Sequence, residues 1–542
     1  MSESNSTLFY AGITLASGLI TDFLINRLNK KEIVEDFKPI RSLTLRKRSF
    51  VNSKQAPVPE ALLNSENPLL DEIKFLNSAT CDIERVNHLS LGLDDEFPNI
   101  KSPLLGEGNL RSVFGGGGFL PDDAFIYCGS YVINTAVFGP GKRIDQTKKW
   151  LRAGPRKSLF FDPKTVKAAI VTCGGLCPGL NVVIRELYMS LHYNYGVQDI
   201  YGIKYGYKGF YTYDWIKFDA NYVKNIHNLG GTILGSSRGG FDLNKIVEAI
   251  VNHGINQVFC LGGDGTHGGV LELFKELRKR KLKISIVGIP KTIDNDIAII
   301  DESFGFETAV EEAINAIKSA YVEANCAEYG VGLVRLMGRN AGFIAMSACN
   351  ASRDAHVCLI PEFKFELYGD RGLLEYCYQR LKKKGTLVLV IAEGAGDAML
   401  DYKVNVVETD ASGNKKSQDV GVIVKDELTK YCKNKGMGIT LKHIDPTYMI
   451  RTVPANPHDK IMCTQLAQNA VHGAMAGFSG FTVGHVNNRL AYIPIEELLS
   501  GKYSNRVVAD SREWQRLLAS TGQPSFLNNE EQMIQQKQQQ QI

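Results

Sequence analysis

The chain has 542 residues, of which 44% are hydrophobic and 22% charged, with 52 glycines and a formal net charge of +4. This length allows two to four average domains or one large enzyme of two lobes, and the composition excludes disorder, collagen and coiled coil as structures of the whole chain. So small a net charge in so long a chain argues against a nucleic-acid-binding protein.

An apolar run near the N terminus and the cysteines bear on the compartment. Residues 8–27 approach the length that spans a bilayer, but Asp22 interrupts them and no basic segment precedes them. We predict a helix on the surface or against a partner; membrane anchoring and organelle import are less favoured. The 11 cysteines contain no CxxC pair, which favours a reducing compartment, here the cytoplasm, over a disulfide scaffold or a zinc site.

The region before about residue 160 has weak periodicity. Its GGGG run at 115–118 has no strand leading in and no helical pattern after it, so we interpret it as a flexible turn. We predict that residues 1–164 form an extension that wraps the core or a neighbouring subunit. Residues 521–542 are Gln-rich and of low complexity, and we predict a disordered tail there.

Short apolar runs alternate with helical patterns from about residue 165. The apolar runs are VKAAIVT (166–172), QVFCL (257–261), ISIVGI (284–289), GVGLVRL (330–336), HVCLI (356–360) and TLVLVIA (386–392). This alternation predicts an α/β fold with parallel sheets flanked by helices. Ligands bind at the carboxyl ends of the strands in such sheets, which is where several motifs lie.

Two glycine-rich turns each lie between a predicted strand and a predicted helix. In GGLCPGLN, Gly174, Gly175 and Gly179 would let the backbone approach a ligand, and the helix amides that follow favour an anion. In LGGDGTHGG, the glycines would wrap phosphates while Asp264 holds Mg²⁺. A plain turn, or an aspartate that caps the next helix, is the structural alternative. GGDGT is shared by several kinase families and indicates nucleotide phosphates.

The motif PKTIDND follows the next strand and carries Asp294 and Asp296. In extended geometry the two carboxylates would face the same side. Such a pair suits one carboxylate as a base and a second that assists metal or proton placement. An Asx-rich turn without chemistry is the alternative.

Two further motifs supply arginines. MGRNAG follows the strand GVGLVRL, and Arg339 offers a planar fork for phosphate or sugar oxygens. GGTILGSSRGG places Arg238 after a turn of small residues, from which it could reach a transferring phosphoryl group. Each motif alone is explicable as a turn or a surface arginine. Five of them in one order, most at the ends of predicted strands, are not a chance arrangement.

The motifs GGLCPGLN, GGTILGSSR, GGDGT, PKTIDND, MGR and IAEG together resemble the 6-phosphofructokinase family and stand in family order. PKTIDND with GGDGT, and IDPTYMIR at 444–451, look like the plant and kinetoplastid ATP-dependent subgroup, which is related to the pyrophosphate-dependent enzymes. The resemblance implies transfer of the γ-phosphoryl of ATP to the 1-hydroxyl of fructose 6-phosphate. The products are fructose 1,6-bisphosphate and ADP, and the reaction belongs to glycolysis.

The resemblance also implies roles for individual residues. Asp294 matches the general base, flanked by Thr292 and Asp296, and Arg238 and Arg339 match groups that offset charge on the transferring phosphoryl. Asp264 matches the aspartate that binds Mg²⁺. The residues that match the ATP site are Gly175, Tyr207, Arg238, Gly263, Asp264, Gly265, Thr266 and Lys291. The residues that match the sugar-phosphate site are Thr292, Asp294, Met337, Gly338, Arg339, Glu393, Tyr448 and Arg451.

Position 265 bears on the phosphoryl donor. In this family a glycine after GGD goes with ATP and an aspartate with pyrophosphate, because an aspartate would crowd and repel the α-phosphate. The residue here is Gly265, which predicts ATP. Lys291 is typical of pyrophosphate users, so a pyrophosphate-dependent enzyme is one alternative. A catalytically inactive regulatory subunit is the other, although such subunits usually lose the catalytic aspartates that this chain retains.

The resemblance implies an allosteric homotetramer with a cleft between two lobes. We expect a nucleotide lobe of 165–306 with a return segment at 450–495, and a sugar lobe of 307–449 with a C-terminal helix at 496–520. Three positions depart from the bacterial pattern: Gly330 and Lys442 replace arginines, and Tyr448 replaces a histidine. The bacterial inter-subunit contacts and allosteric pocket therefore do not carry over.

Overall fold

The computed structural model describes residues 100–105, 120, 125–127, 149–400, 408–409, 415–416, 419–501 and 505–527. All of them belong to one compact unit, Lys74–Ile542. The apolar run at 8–27, the glycine run at 115–118 and residues 528–542 lie outside the described residues. No helix within the described part of the chain has the length and apolar character needed to cross a membrane.

Two sheets organise the described residues. Their strands are β1 (Phe125–Tyr127), β2 (Lys149–Arg152), β3 (Lys167–Thr172), β4 (Asp199–Ile203), β5 (Ile216–Lys217), β6 (Gln257–Gly262), β7 (Ser285–Pro290), β8 (Gly330–Leu336), β9 (Val357–Leu359), β10 (Thr386–Ala392), β11 (Thr440–Ile444), β12 (Phe481–Val486) and β13 (Arg489–Pro494). Two small antiparallel ladders pair Ile100–Lys101 with Ser158–Leu159, and Glu408–Thr409 with Lys415–Lys416.

Helices connect most of these strands. The α-helices are α1 (Leu180–Met189), α2 (Gly209–Thr212), α3 (Ala220–Val223), α4 (Leu243–Asn252), α5 (Asp264–Lys279), α6 (Phe306–Asn325), α7 (Phe343–Ser352), α8 (Leu373–Lys384), α9 (Val420–Asn434), α10 (Thr447–Thr452), α11 (Pro457–Met475), α12 (Ile495–Leu498) and α13 (Arg512–Thr521). A π-helical turn, Ser190–Asn194, extends α1, and 3-10 helices cover Pro103–Leu105, Ile226–Asn228 and Glu393–Ala398.

The larger sheet has the strand order β1-β2-β13-β12-β7-β6-β3-β4-β5. Its central strands, from β12 to β4, are parallel to one another, whereas antiparallel strands close both ends. The smaller sheet, β9-β10-β8-β11, is parallel throughout. Strands β6 and β7 are buried over their whole length, as expected where helices cover both faces. The predicted fold class is confirmed, and the antiparallel edges are an addition to it.

The edges of the larger sheet change the boundary of the predicted extension. Strands β1 and β2 lie within 1–164, yet they pair with each other and β2 pairs with β13. Trp150 on β2 is fully buried against Ile493 and its neighbours. Because these residues complete the larger sheet, the last part of the predicted extension belongs to the lobe built on that sheet. Strands this short leave little periodic signal in a sequence.

The C-terminal segment also differs from its predicted boundaries. Helix α12 contacts α5 beside the larger sheet, whereas α13 contacts α7 beside the smaller one, so the chain crosses between lobes within 496–520. The predicted disordered tail began at 521, but Phe526 and Leu527 are buried. The Gln523 side chain also forms hydrogen bonds with both backbone groups of Cys358. The described tail residues therefore pack on the edge strand β9.

Helices α6 and α11 join the two lobes. Helix α6 packs against β8 and α7 of the smaller-sheet lobe, and α11 packs against α1 of the larger-sheet lobe. The buried Asp459 of α11 accepts hydrogen bonds from the backbone N–H groups of Gly305 and Thr308, both at 2.8 Å, and so satisfies the N terminus of α6. A side chain at Gly330 would collide with the Ala324 carbonyl oxygen of α6. The departure from the bacterial arginine at this position thus has a steric reason.

Candidate active site

A cavity of about 830 Å³ lies between the two lobes, at the carboxyl ends of strands from both sheets. Every site residue that the family resemblance implies lines it. These residues are Gly175, Tyr207, Arg238, Gly263, Asp264, Gly265, Thr266, Lys291, Thr292, Asp294, Asp296, Met337, Gly338, Arg339, Glu393, Tyr448 and Arg451. The structure thus brings together residues from eight separate segments of the chain.

Two loops of the larger-sheet lobe pair with each other at one wall of the cavity. The Gly174 N–H donates to the Ser237 carbonyl at 3.1 Å, and the Ser236 hydroxyl donates to the Gly174 carbonyl at 2.7 Å. This pairing brings Arg238 Nη2 to 3.9 Å from the place where a Cβ on Gly175 would stand. Arg238 therefore lies beside the glycine turn of Gly174 and Gly175, although the two are far apart in the sequence.

Gly179 has a different role from the one predicted. Its φ is +104°, and a Cβ there would lie 2.7 Å from Cys463 Sγ and 2.9 Å from the Phe304 ring. It does not line the cavity, so it serves close packing at the start of α1 and makes no approach to a ligand.

The GGDGT motif forms the N terminus of α5. Asp264 is the first residue of the helix, so the free backbone N–H groups at the start of α5 lie at the cavity. An anion is favoured at such a helix N terminus. A Cβ on Gly265 would meet nothing within 4 Å, so the cavity has room here. Tyr207 packs beneath this turn and donates to the Thr266 carbonyl at 2.7 Å. Its ring is buried, and Phe241, which contacts it edge-on, is the more exposed aromatic residue on this wall.

The PKTIDND motif forms a tight turn after β7. Asn295 has a φ of +56°, so the prediction of extended geometry for this motif is wrong. The Thr292 hydroxyl donates to Asp296 Oδ1 at 3.1 Å and accepts from the Asp294 N–H at 3.2 Å. The Asn505 side chain donates to the Asn295 carbonyl at 2.7 Å. The turn is therefore held from within by Thr292 and from the C-terminal segment by Asn505.

Asp294 is the most strongly perturbed acid of the cavity. Its Oδ1 atom is buried and has no hydrogen-bond partner within the protein. Burial, together with the charges of Asp296 and Glu393, raises the pKa of Asp294 to about 7, against the attraction of Arg339 and Lys291. A carboxyl group with this pKa exchanges a proton near neutral pH, as a general base requires.

Two other charged groups of the cavity are also perturbed. Burial and the charge of Asp296 raise the pKa of Asp264. Burial lowers the pKa of Lys291, whose Nζ lies 3.7 Å from the place where a Cβ on Gly174 would stand. The repulsion between Asp264 and Asp296, next to the buried ammonium group of Lys291, indicates a site that binds a charged ligand.

The residues present fit a magnesium ion that is bound jointly with phosphates. Within the described ranges no group of three or more His, Cys, Asp or Glu side chains could hold a metal alone. Asp264 and Asp296 supply hard carboxylate oxygens near each other, and burial together with the charge of Asp296 raises the pKa of Asp264. Mg²⁺ is usually bound by one or two carboxylates together with water and substrate phosphates, so Asp264 is a suitable ligand.

Two glycines bring the segments after β8 and β10 into close backbone contact. The Gly394 N–H donates to the Gly338 carbonyl at 3.0 Å, and a Cβ on Gly394 would collide with the Arg339 carbonyl oxygen. This close backbone contact sets Arg339 beside Glu393, with 3.9 Å between Nη2 and Oε1. The MGR and IAEG motifs therefore form one structural unit, although 54 residues separate Arg339 from Glu393 in the numbering.

Helix α10 completes the sugar side of the cavity. Tyr448 is 72% exposed, and the Arg451 guanidinium lies over its ring at 4.7 Å from the centroid. The pair presents an aromatic face and a cation at the cavity mouth. Lys442, at the other departure from the bacterial pattern, is exposed on β11 and does not line the cavity.

The sequence analysis missed Arg335 and Asp445, which also line the cavity. Arg335 Nη1 donates to Asp445 Oδ2 at 2.8 Å. The available signal was an arginine in the otherwise apolar strand GVGLVRL, because a charged residue near the end of a buried strand needs a partner. Asp445 lies in the motif IDPTYMIR, from which only Tyr448 and Arg451 were predicted as site residues.

Charge of both signs thus converges on one cavity at the strand ends, an arrangement typical of enzymes that transfer phosphoryl groups. The profile of the family described as "Phosphofructokinase" matches residues 167–474. Because this match covers more than half of the chain, the protein belongs to the phosphofructokinase family. The predicted resemblance is confirmed.

Relatives and solved structures agree with this assignment. The chain is 56% identical over 378 residues to "ATP-dependent 6-phosphofructokinase 1" of Arabidopsis thaliana, which covers 69% of this chain and 79% of the relative. It is 45% identical over 387 residues to "ATP-dependent 6-phosphofructokinase" of Borreliella burgdorferi, covering 70% and 86%. A pyrophosphate-dependent phosphofructokinase from Marinobacter aquaeolei has a similar fold, with a TM-score of 0.53, 18% identity, and coverage of 66% and 91%.

Proposed function

We propose that this protein is an ATP-dependent 6-phosphofructokinase, which transfers the γ-phosphoryl of ATP to the 1-hydroxyl of fructose 6-phosphate. The observation that carries the proposal concerns Asp294, which lies in the cavity between the N terminus of α5 and Arg339. Its Oδ1 atom has no hydrogen-bond partner within the protein, and its pKa is about 7. The names of the relatives with 45–56% identity support the same activity.

Asp294 acts as the base in this mechanism. Its Oδ1 atom accepts the proton of the sugar 1-hydroxyl as the oxygen attacks the phosphorus atom. The buried position keeps water from this oxygen, and Thr292 and Asp296 hold the turn so that the carboxylate stays directed into the cavity. The proton is therefore removed as the new P–O bond forms and as the bond from the γ-phosphorus to the β–γ bridging oxygen breaks, so that ADP leaves.

The nucleotide side of the cavity binds and orients the donor. The amides at the start of α5 bind phosphate oxygens, and Arg238 and Lys291 offset the negative charge of the transferring group. Magnesium, with Asp264 as its protein ligand, supplies further charge neutralisation of the phosphates when bound. Room at Gly265 accommodates the α-phosphate.

The sugar side of the cavity orients the acceptor. Glu393 accepts hydrogen bonds from sugar hydroxyls, whereas Arg451 and the exposed Tyr448 meet the 6-phosphate. Arg339 faces both the sugar and the transferring group. With both substrates held between fixed elements, most of the rate enhancement comes from position and charge.

A comparison of donors tests the proposal. Purified protein receives fructose 6-phosphate and Mg²⁺ with either ATP or pyrophosphate, and bisphosphate formation is followed. Turnover with ATP alone is expected. Turnover with pyrophosphate alone would favour the second candidate, a pyrophosphate-dependent enzyme, to which the buried Lys291 at the cavity wall lends support. Inactivity with both donors would point to a regulatory subunit or to a missing activator.

Three finer expectations stay predictions: the homotetramer, allosteric control and a cytoplasmic location. The relatives include one from Arabidopsis thaliana named as chloroplastic, at 53% identity over 381 residues, so the location needs its own measurement. Light scattering on the full chain tests the tetramer, and a fluorescent fusion tests the compartment.

A further inference from the structure

Arg335 lies where the smaller sheet opens into the cavity. It is the next-to-last residue of β8, which stands between β10 and β11, and its side chain is 16% exposed. Since parallel strands end at the same edge, Glu393 just after β10 and Asp445 just after β11 reach the same place. Arg335 therefore occupies the centre of the sugar-side wall.

The Arg335 guanidinium pairs with three carboxylates from three different segments. Its Nη1 is 2.8 Å from Asp445, its Nε is 3.3 Å from Asp419 and its Nη2 is 3.8 Å from Glu393. A planar fork can serve three partners in this way, whereas the ammonium group of a lysine is a single point of charge. Without Arg335 the three carboxylates would face one another with less compensation.

Two of these carboxylates control elements that carry the proposed substrate contacts. Asp445 Oδ1 accepts from the Thr447 N–H at 3.0 Å and so fixes the start of α10, the helix of Tyr448 and Arg451. Glu393 itself lies between Arg335 and Arg339, at 3.8 and 3.9 Å. The position of Glu393 thus depends on the balance between two arginines.

We propose that Arg335 is a positioning residue for fructose 6-phosphate. It holds Glu393 away from full pairing with Arg339, and through Asp445 it holds α10 at the cavity. The role belongs to the sugar side alone, because among the described residues the ion-pair partners of Arg335 are Glu393, Asp419 and Asp445, none of which lies in the segments that form the nucleotide side. This inference rests on the proposed function, since it names the sugar substrate of the same cavity.

Steady-state kinetics of Arg335→Gln and Arg335→Lys test the role. Arg335→Gln should raise KM for fructose 6-phosphate by about tenfold or more, with KM for ATP changed less than about twofold. Arg335→Lys should recover part of the loss, because it keeps the charge but reaches fewer carboxylates. Asp445→Asn should raise the same KM in the same direction.

Asp419→Asn is the matched control. Asp419 also pairs with Arg335, but it caps α9, and no residue of α9 lines the cavity. An asparagine can still cap the helix, so KM for fructose 6-phosphate should stay within about twofold of the wild-type value. The pair Asp445→Asn and Asp419→Asn thereby separates sugar positioning from general support of the fold.

Two results would overturn the role of Arg335 while wild-type activity is intact. One is a wild-type KM for fructose 6-phosphate in Arg335→Gln. The other is an equal rise of both KM values together with a lower unfolding temperature, which would indicate structural damage. A wild-type protein that fails to phosphorylate fructose 6-phosphate would instead overturn the proposed function and the sugar-side role with it.

Discussion

The two sides of the cavity are built by different means. The side that we propose binds the nucleotide, called the nucleotide side, consists largely of glycines and backbone amides, at Gly174, Gly175 and the start of α5. The side that we propose binds the sugar, called the sugar side, consists of charged side chains that pair with one another, as Arg335 and Arg339 do with Glu393. A backbone cradle is specified by adjacent residues, whereas a charged cluster is specified by segments that meet only in the fold.

Asp294 lies between the two sides, and its replacement should have the largest effect. Asp294→Ala removes a positioned base, so kcat should fall by about 10²–10⁴-fold while ATP binding and folding are preserved. Single-turnover measurement of bisphosphate formation checks this. Asp426→Ala, which removes an exposed carboxylate of α9, is the control and should be as active as the wild type. Near-normal turnover of Asp294→Ala would rule out the base assignment.

The same carboxyl group should reduce stability where it is ionised. Its native pKa of about 7 exceeds its ordinary value of 3.8, so the native state binds the proton more tightly and loses stability as the pH rises between those values. Asp294→Asn should therefore be more stable than the wild type at pH 8, by roughly 4 kcal/mol as an upper limit at 1.36 kcal/mol per pKa unit.

Urea unfolding of both proteins at pH 8 and near pH 4 measures this difference. Asp264, whose pKa burial also raises, is present in both proteins, so its contribution cancels in the comparison. The stability difference should shrink toward pH 4, where the carboxyl group is protonated in the native state. A difference that is the same at both pH values would contradict the elevated pKa.

The backbone cradle of the nucleotide side can be disturbed by adding one charge. Gly265→Asp should raise KM for ATP by about tenfold or more, because the new carboxylate repels the α-phosphate. Gly265→Ala is the matched control; a Cβ there meets nothing within 4 Å, so its KM should be normal. Isothermal titration with an ATP analogue checks both variants. Unchanged ATP use by Gly265→Asp would undercut the donor argument.

The sequence predicted the nucleotide side better than the sugar side for a physical reason. Gly265 and Asp264 stand next to each other in one turn, so their chemistry is visible in a short motif. Arg335 and Asp445 are 110 residues apart and meet only because β8 and β11 are neighbours in the smaller sheet. Strand order is a property of tertiary packing, so no local pattern revealed this pair.

The fold shows the same difference between features that are visible in a short segment and features that depend on tertiary packing. The parallel strands were predicted because they are long apolar runs between helices. Strands β1 and β2 were assigned to the extension because they are short; β2 is stabilised by pairing with β13, more than 300 residues later, and β1 by pairing with β2. For PKTIDND an Asx-rich turn was the alternative to extended geometry, but the left-handed conformation of Asn295 depends on bonds to Ser303 and Asn505, which no local pattern shows.

Asn505 gives the smallest predicted effect and joins the two sides that the comparison separates. Its segment is bound to the sugar lobe, where the Val507 N–H donates to Glu362 at 2.9 Å, yet its side chain holds the turn of Asp294 and Asp296. Asn505→Ala removes one hydrogen bond of about 0.5–1.5 kcal/mol, so kcat should fall by about two- to tenfold.

The kinetic effect should appear in kcat more than in either KM, because the bond positions the base and touches no substrate. Asn350→Ala removes a bond of the same kind, from the Asn350 side chain to the Glu513 carbonyl, and should leave kcat unchanged. A matching loss in both variants would assign the effect to general stability. A loss in Asn505→Ala alone would show that the chain segment between the lobes sets the catalytic turn, so neither side of the cavity would be independent of the other.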